Sequence, residues 1–266
     1  MSETAAAPRT AAPRPPCRGP ADALVLAARS ARLSARTVDA LLTSLILPVM
    51  LMLLFVYLFG GAIDTGTDYV TYVVPGVLVL CAGFGAAGTA VGVSNDMTEG
   101  VVDRFRSLDV SGTSLLAGHV AASMARNTAA TAVVFAVAFL IGFRPQAGGP
   151  AWVAAVGILA AYVLAFSWLS AAVGLLARSA EAANGFTFLV LFLPYPSSAF
   201  VPVETMPDWM HGFAENQPAT HVIEALRGLL LDQPAGDAAW WALAWCAGLL
   251  AASVAAAALL FRHRTA

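Results

Sequence analysis

The chain has 266 residues, 59% of them hydrophobic and 11% charged, with a formal net charge of −2 and a mean hydropathy of +0.76. Soluble globular domains carry about a quarter charged residues, so this composition excludes a soluble fold. Six apolar runs absorb nearly half the chain, and no remaining tail or loop is long enough for a second domain of ~100 residues. An all-α integral membrane protein is left, with no nucleic-acid partner expected.

Residues 1–20 are rich in Pro, Ala and Arg and nearly lack large apolar side chains. They cannot bury a core and are expected to form a disordered cytoplasmic tail, with residues 21–266 as the membrane domain. From Ala21 the pattern changes. Leu24, Ala28, Ala31, Ala35, Val38 and Leu42 share one helical face, and Arg29, Arg32 and Arg36 share the opposite one. This predicts an amphipathic interfacial helix with its arginines toward anionic headgroups. A solvated extension of the first span is the alternative.

The apolar runs at 41–60, 72–94, 123–142, 152–177, 185–200 and 238–261 are the six predicted spans. Crossing a ~30 Å hydrocarbon core takes roughly 20 apolar residues in a helix. Lipid offers unpaired backbone amides no partner, so each run must be helical. The fifth is short unless its helix begins near Glu181. In the second, Gly88 and Gly92 form a GxxxG spacing that lets two helix backbones approach, within one subunit or between two. Arg126 and Asn127 fall about one turn inside the third, where Arg126 either snorkels to headgroups or walls a polar cavity. Cys17, Cys81 and Cys246 are too few and too scattered for a disulfide framework or metal site, and read as small apolar fillers. The first apolar run starts at Leu41 and is too long for the core of a signal peptide.

Two connectors carry pattern of their own. Between the second and third spans, Val101, Phe105 and Leu108 fall at i, i+4, i+7, with Asp103 and Arg106 one turn apart. A cytoplasmic helix with such a ridge needs a membrane surface or a groove on a soluble partner to cover it. After the fifth run, Pro194, Pro196, Pro202, Pro207 and Pro218 prevent one straight helix. Thr205-Met-Pro-Asp208 resembles a capping box, followed by an apolar face of Met206, Trp209, Met210 and Phe213. Val222, Leu226, Leu229 and Leu230 continue the helical pattern beyond Pro218. Two short apolar helices on the outer side predict a re-entrant hairpin dipping into the outer leaflet.

Every basic residue is Arg: the chain has fourteen Lys plus Arg in all, and no Lys. They cluster before the first span, in alternate connectors and after the sixth, leaving only Arg144 and Arg227 in the others. Basic residues in short loops stay cytoplasmic, so both termini are expected inside a plasma (inner) membrane. The sequence contains no phosphate loop, H-E-x-x-H or G-x-S-x-G. His119, His211, His221 and His263 are scattered, and His221 with Glu224 reads as a local polar pair. No catalytic residue, metal site or cofactor is expected in this chain. Any energy for uphill movement comes from elsewhere.

At the two connectors the sequence resembles a known family. The stretch 93–108, Val-Ser-Asn-Asp-Met-Thr-Glu-Gly-Val-Val-Asp-Arg-Phe-Arg-Ser-Leu, is similar to the coupling segment of ABC-2 type permeases, within the daunorubicin-resistance subfamily of drug exporters. The stretch 198–207, with Trp209, Asn216-Gln-Pro218 and Glu224-Ala-Leu-Arg227, resembles that family's outer hairpin. Leu47-Pro48 and residues 55–61 match its first span. The resemblance runs from about Leu24 to Phe261, although Ser197-Ser198-Ala199-Phe200 stands where Ser-Asn-Ala-Phe is expected.

This resemblance implies a permease that works as a dimer, likewise a homodimer here, beneath separate cytoplasmic ATPases that bind ATP and Mg. Glu99, Arg104, Phe105, Arg106 and Leu108 would receive the ATPase stroke. Spans one, two and five would line a path, with Thr43, Thr89, Asn184, Thr187, Phe188 and Phe192 as lining candidates. Trp209 and Phe213 would sit at the exit in membrane lipid. The expected function is export of an amphipathic drug-like molecule. A lipid or glycolipid exporter, or a non-transporting sensor or immunity scaffold, remains the alternative.

Overall fold

A computed structural model describes residues 38–63, 65–98, 112–234 and 236–265. The expected surface helix before Val38 and the connector at 99–111 lie outside these residues. The described elements are α1 (Val38–Leu54, continued by a π-helical turn Phe55–Phe59), α2 (Tyr69–Thr98), α3 (Gly112–Leu140), α4 (Gly149–Leu176), α5 (Ala180–Phe192), α6 (Asp208–Asn216), α7 (Pro218–Leu230) and α8 (Ala238–Thr265). Among the described residues there is no strand.

Four helices are long and apolar enough to cross a membrane: α2, α3 from Leu115, α4, and α8 to Phe261. The apolar part of α1, Leu45–Phe59, is shorter. The fifth run folds differently from a simple span. Its helix does begin early, at Ala180, with Ser179 Oγ accepting from the Ala182 amide. It ends at Phe192, because Pro194 cannot donate an amide and disfavours helix in the residue before it. Thirteen residues rise only about 20 Å, short of the ~30 Å core. The rest of the run, although apolar, is a buried loop.

The second helix is the mast of the bundle. Of its apolar window 78% is buried within the protein, against 17% for α8, so protein rather than lipid covers most of its sides. It packs against α1, α3, α4, α5 and α7, while α4 bridges α2 to α8. A helix apolar on every side is what such a position requires.

One backbone approach sets this packing. A Cβ on Gly174 of α4 would stand 2.5 Å from the Ala90 carbonyl oxygen and 2.9 Å from Val93 Cβ on α2. Only glycine allows that crossing. By contrast, Gly88 has nothing within 4 Å, and Gly92 faces the His119 ring at 3.4 Å. The GxxxG spacing therefore does not make the main crossing within the subunit.

Helices α6 and α7 form the two-helix connector that the prolines and apolar faces predict, with Pro218 in the first turn of α7. The expected capping box does not form. Thr205 Oγ1 donates to the Pro202 carbonyl at 2.7 Å, and α6 starts without a side-chain cap. Val222, Leu226 and Leu230 are buried, so α7 is anchored in the core against α2, α4 and α8.

Candidate functional site

The most elaborated site is the loop 194–202, wedged between the starts of α2 and α7. Ser197, Ser198, Ala199 and Phe200 are all buried. Buried loop carbonyls must find donors, and here alternate ones are met by side chains. Pro194 O accepts from Ser197 Oγ, Pro196 O from Gln217 Nε2 and Ser198 O from Arg227 Nη2 at 2.8 Å. Phe200 O accepts from the Tyr69 hydroxyl at 2.9 Å, and Pro202 O from Thr205. Three of these five donors lie outside the loop and its flank, on α2 and at the head and body of α7.

Close packing seats the same loop. A Cβ on Gly76 would lie 2.7–2.8 Å from Ala199 backbone and side-chain atoms, so the loop rests directly on the α2 backbone. Phe200 stacks on Phe55 at 4.2 Å, next to the π-helical turn that extends α1. It also stacks on Tyr195 at 5.2 Å.

Arg227 ties three parts together. Besides Ser198, its Nη2 donates to the Tyr72 carbonyl at 3.2 Å, and its guanidinium lies 3.8 Å from the centre of the Tyr72 ring. Hydrogen bonds from a charged donor contribute about 1.5–3 kcal/mol each, and the ring contact adds roughly 0.5–2 kcal/mol. One turn earlier, burial pushes the Glu224 carboxyl up from its ordinary range, with Arg227 and His221 pulling the other way. Arg144, the other arginine in these connectors, donates to the Phe139 and Phe143 carbonyls at 2.8 and 2.9 Å. The two arginines that break the charge distribution of the chain both close off backbone carbonyls.

At the opposite end, the α2–α3 pair is joined by His119 and Asp96, Nε2 to Oδ2 at 2.8 Å. Between the ends, Ser123 and Ser167 hydroxyls meet at 2.8 Å, and Asn127 Nδ2 donates to the Ser123 carbonyl at 3.1 Å. Asn127 is buried against Gly85, whereas its neighbour Arg126 is partly exposed. The two residues that the sequence pairs thus face different surroundings.

The residues singled out from sequence fall into three groups. Glu99, Arg104, Phe105, Arg106 and Leu108 lie outside the described residues. Asn184, Phe188 and Phe192 share an open stripe of α5, with Phe188 63% and Phe192 61% exposed. Thr187 is partly buried and donates to the Ala183 carbonyl at 3.5 Å. Thr89 is buried inside the bundle, and Thr43 sits on α1. On α1 and its π-helical turn, Ile46, Met50, Leu54, Tyr57 and Leu58 make a second open apolar face. Trp209, 80% exposed, and Phe213 stand out from α6, and Trp240, Trp241 and Trp245 are likewise exposed in the first turns of α8.

Sequence reading missed the donors to the loop. Tyr69 carried no pattern, and Gln217 and Arg227 stood in stretches that resemble the family's outer hairpin without announcing a bond to this loop.

The comparisons with known proteins agree with this architecture. The family model for ABC-2 type transporters matches residues 22–231. The chain is 33% identical over 232 residues to the daunorubicin resistance ABC transporter permease protein DrrB1 of Streptomyces coeruleorubidus, covering 85% of this chain and 81% of that one. It is 22% identical over 234 residues to the probable doxorubicin resistance ABC transporter permease protein DrrC of Mycobacterium tuberculosis, covering 86% and 84%. A multi-pass helical bundle and a family match across most of its length lead to one assignment: this chain belongs to the ABC-2 type transporter family.

Proposed function

We propose that this chain is the membrane permease subunit of an ATP-driven exporter of amphipathic, drug-like molecules, with ATP and Mg bound by a separate cytoplasmic ATPase. The observation that carries this reading is the similarity to a daunorubicin-resistance permease over 85% of the chain. Two copies pair through the open apolar faces of α1 and α5, both of which lie on α2. Asn184, Thr187, Phe188 and Phe192 then face the shared path. The bundle has six membrane segments: α1 with its π-helical extension, the four long helices, and α5 completed by the loop 194–202. Trp209, Phe213 and the tryptophans of α8 form an aromatic belt at the outer headgroups.

Reconstitution tests the function. With daunorubicin as probe, proteoliposomes holding the permease and its ATPase are expected to move the drug on ATP addition. Permease alone is expected to be inert. ATP hydrolysis and transport by purified permease alone would overturn the division of labour. Transport of a fluorescent phospholipid but not of daunorubicin would make the cargo a lipid.

The arginine distribution supports a topology with both termini in the cytoplasm, Gly66 outside and Ser111 inside. Single cysteines at these two positions, in a cysteine-free background, check it in intact cells. An impermeant thiol reagent is expected to label Gly66→Cys and spare Ser111→Cys. The reverse pattern would invert the topology.

A further inference from the structure

We propose that Arg227 is the latch of an outer gate formed by the loop 194–202, and that releasing this loop is the step that opens the loop-rich end of the bundle. The proposal rests on the permease reading, which supplies the reason for an opening.

The loop is built to leave its seat. Its carbonyls at 194, 196, 198 and 200 are held by side chains, and that at 202 by the Thr205 hydroxyl together with the Thr205 amide of the short 3-10 turn Val203–Thr205. Residues 194–200 belong to no helix or strand, so withdrawing them need not unwind a helix. Its external donors sit on two different bodies, Tyr69 on α2 and Gln217 with Arg227 at α7. A shift of α2 against α7 therefore pulls on several of these bonds together.

Arg227 is the one donor of this set that grips both the mast and the loop. A single nitrogen reaches the Tyr72 carbonyl and the Ser198 carbonyl, while the guanidinium plane covers the Tyr72 ring. Lysine keeps the charge and can donate from one nitrogen, but it lacks the rigid, more weakly hydrated guanidinium, so it is expected to restore the hold only in part. Its Nε finds no hydrogen-bond partner among the described residues, so the latch is held by few bonds.

A route for force also reaches the loop. Phe200 stacks on Phe55, at the start of the π-helical turn that ends α1. Such turns are frequent at functional sites because they relax the regular helix locally. Movement of α1 is thereby delivered to the middle of the gate, while Gly76 leaves a bare backbone on which Ala199 reseats.

The test is accessibility of a thiol at Ser198, which is 3% exposed. Ser198→Cys is made in a background with Cys17, Cys81 and Cys246 replaced by Ser, and the permease–ATPase complex is placed in nanodiscs, where both faces meet solvent. Without nucleotide, labelling by a polar maleimide is expected to be slow. Arg227→Gln is expected to accelerate it roughly tenfold, as loss of charge-assisted hydrogen bonds implies. Arg227→Lys is expected to fall between. Tyr69→Phe, which removes one hydroxyl and keeps the ring, is expected to give about threefold and serves if Arg227→Gln fails to fold. With the clasp intact, ATP is expected to accelerate labelling and ADP is not, a response that a purely structural loop lacks. Equal labelling with and without the Arg227 and Tyr69 changes, or no response to ATP, overturns the latch. If ATP accelerates labelling while daunorubicin stays put, the latch stands and the drug reading falls.

Discussion

Gly174→Leu is expected to abolish folded protein, and Gly174→Ala to lower thermal stability by about 1–3 kcal/mol, the usual range for overpacking a close-packed interior. The cause is local and backbone-made. Even a methyl group at this position would stand 2.5 Å from the Ala90 carbonyl oxygen, and no rotamer can move a carbonyl aside. Either α4 tilts away from α2 or the variant does not assemble. The same helix supplies the control. Gly157 has open space around it, so Gly157→Ala is expected to be neutral or to gain up to about 1 kcal/mol, because alanine favours helix over glycine. Size-exclusion of detergent extracts after graded heating reads both. A monodisperse Gly174→Leu with an unchanged midpoint would mean that α2 and α4 do not cross there.

Phe105→Ala is expected to weaken association with the ATPase about 30-fold. The ridge of Val101, Phe105 and Leu108 at i, i+4, i+7 suits a groove on a soluble partner. A buried aromatic anchor commonly accounts for ~2 kcal/mol or more of an interface, and 1.4 kcal/mol is a factor of ten. Arg104→Ala and Arg106→Ala are expected to be milder, since rim charges are solvated and screened by salt. Co-purification of the ATPase with each variant at physiological salt makes the comparison. An undiminished yield with Phe105→Ala would assign the ridge to the membrane surface. A Phe105→Trp variant would then show lipid-quenched fluorescence whether or not the ATPase is present.

Much of the bundle was legible because a membrane imposes a rule that a one-dimensional reading can apply. Backbone groups must be paired internally and an apolar run must be long enough to cross, so the extents of α2, α4 and α8 follow from composition alone. The pattern Val222, Leu226, Leu230 was equally readable, since α7 has one buried face and a period that reports it. The residues expected to couple to the ATPase stand apart, as a pattern in sequence beyond the described residues.

The loop 194–202 was not legible, and the reason is chemical. It is held by its own carbonyl oxygens, and a carbonyl carries no residue identity. Nothing in the letters at 72, 198 or 200 announces an acceptor for Arg227 or Tyr69, which lie 29 to 155 positions away from their partners. The glycines taught the same lesson. In a helix that is apolar on all sides, no periodicity selects a face, so Gly88 and Gly174 look alike until rotation and tilt are set. The sequence by itself determined that this is a helical membrane protein, where α2, α4 and α8 run and which family it belongs to, whereas α3 starts at Gly112, eleven residues before the apolar run expected at 123–142. Only the tertiary structure decided which glycine marks the crossing and which arginine closes the loop, because both depend on backbone atoms that every residue shares.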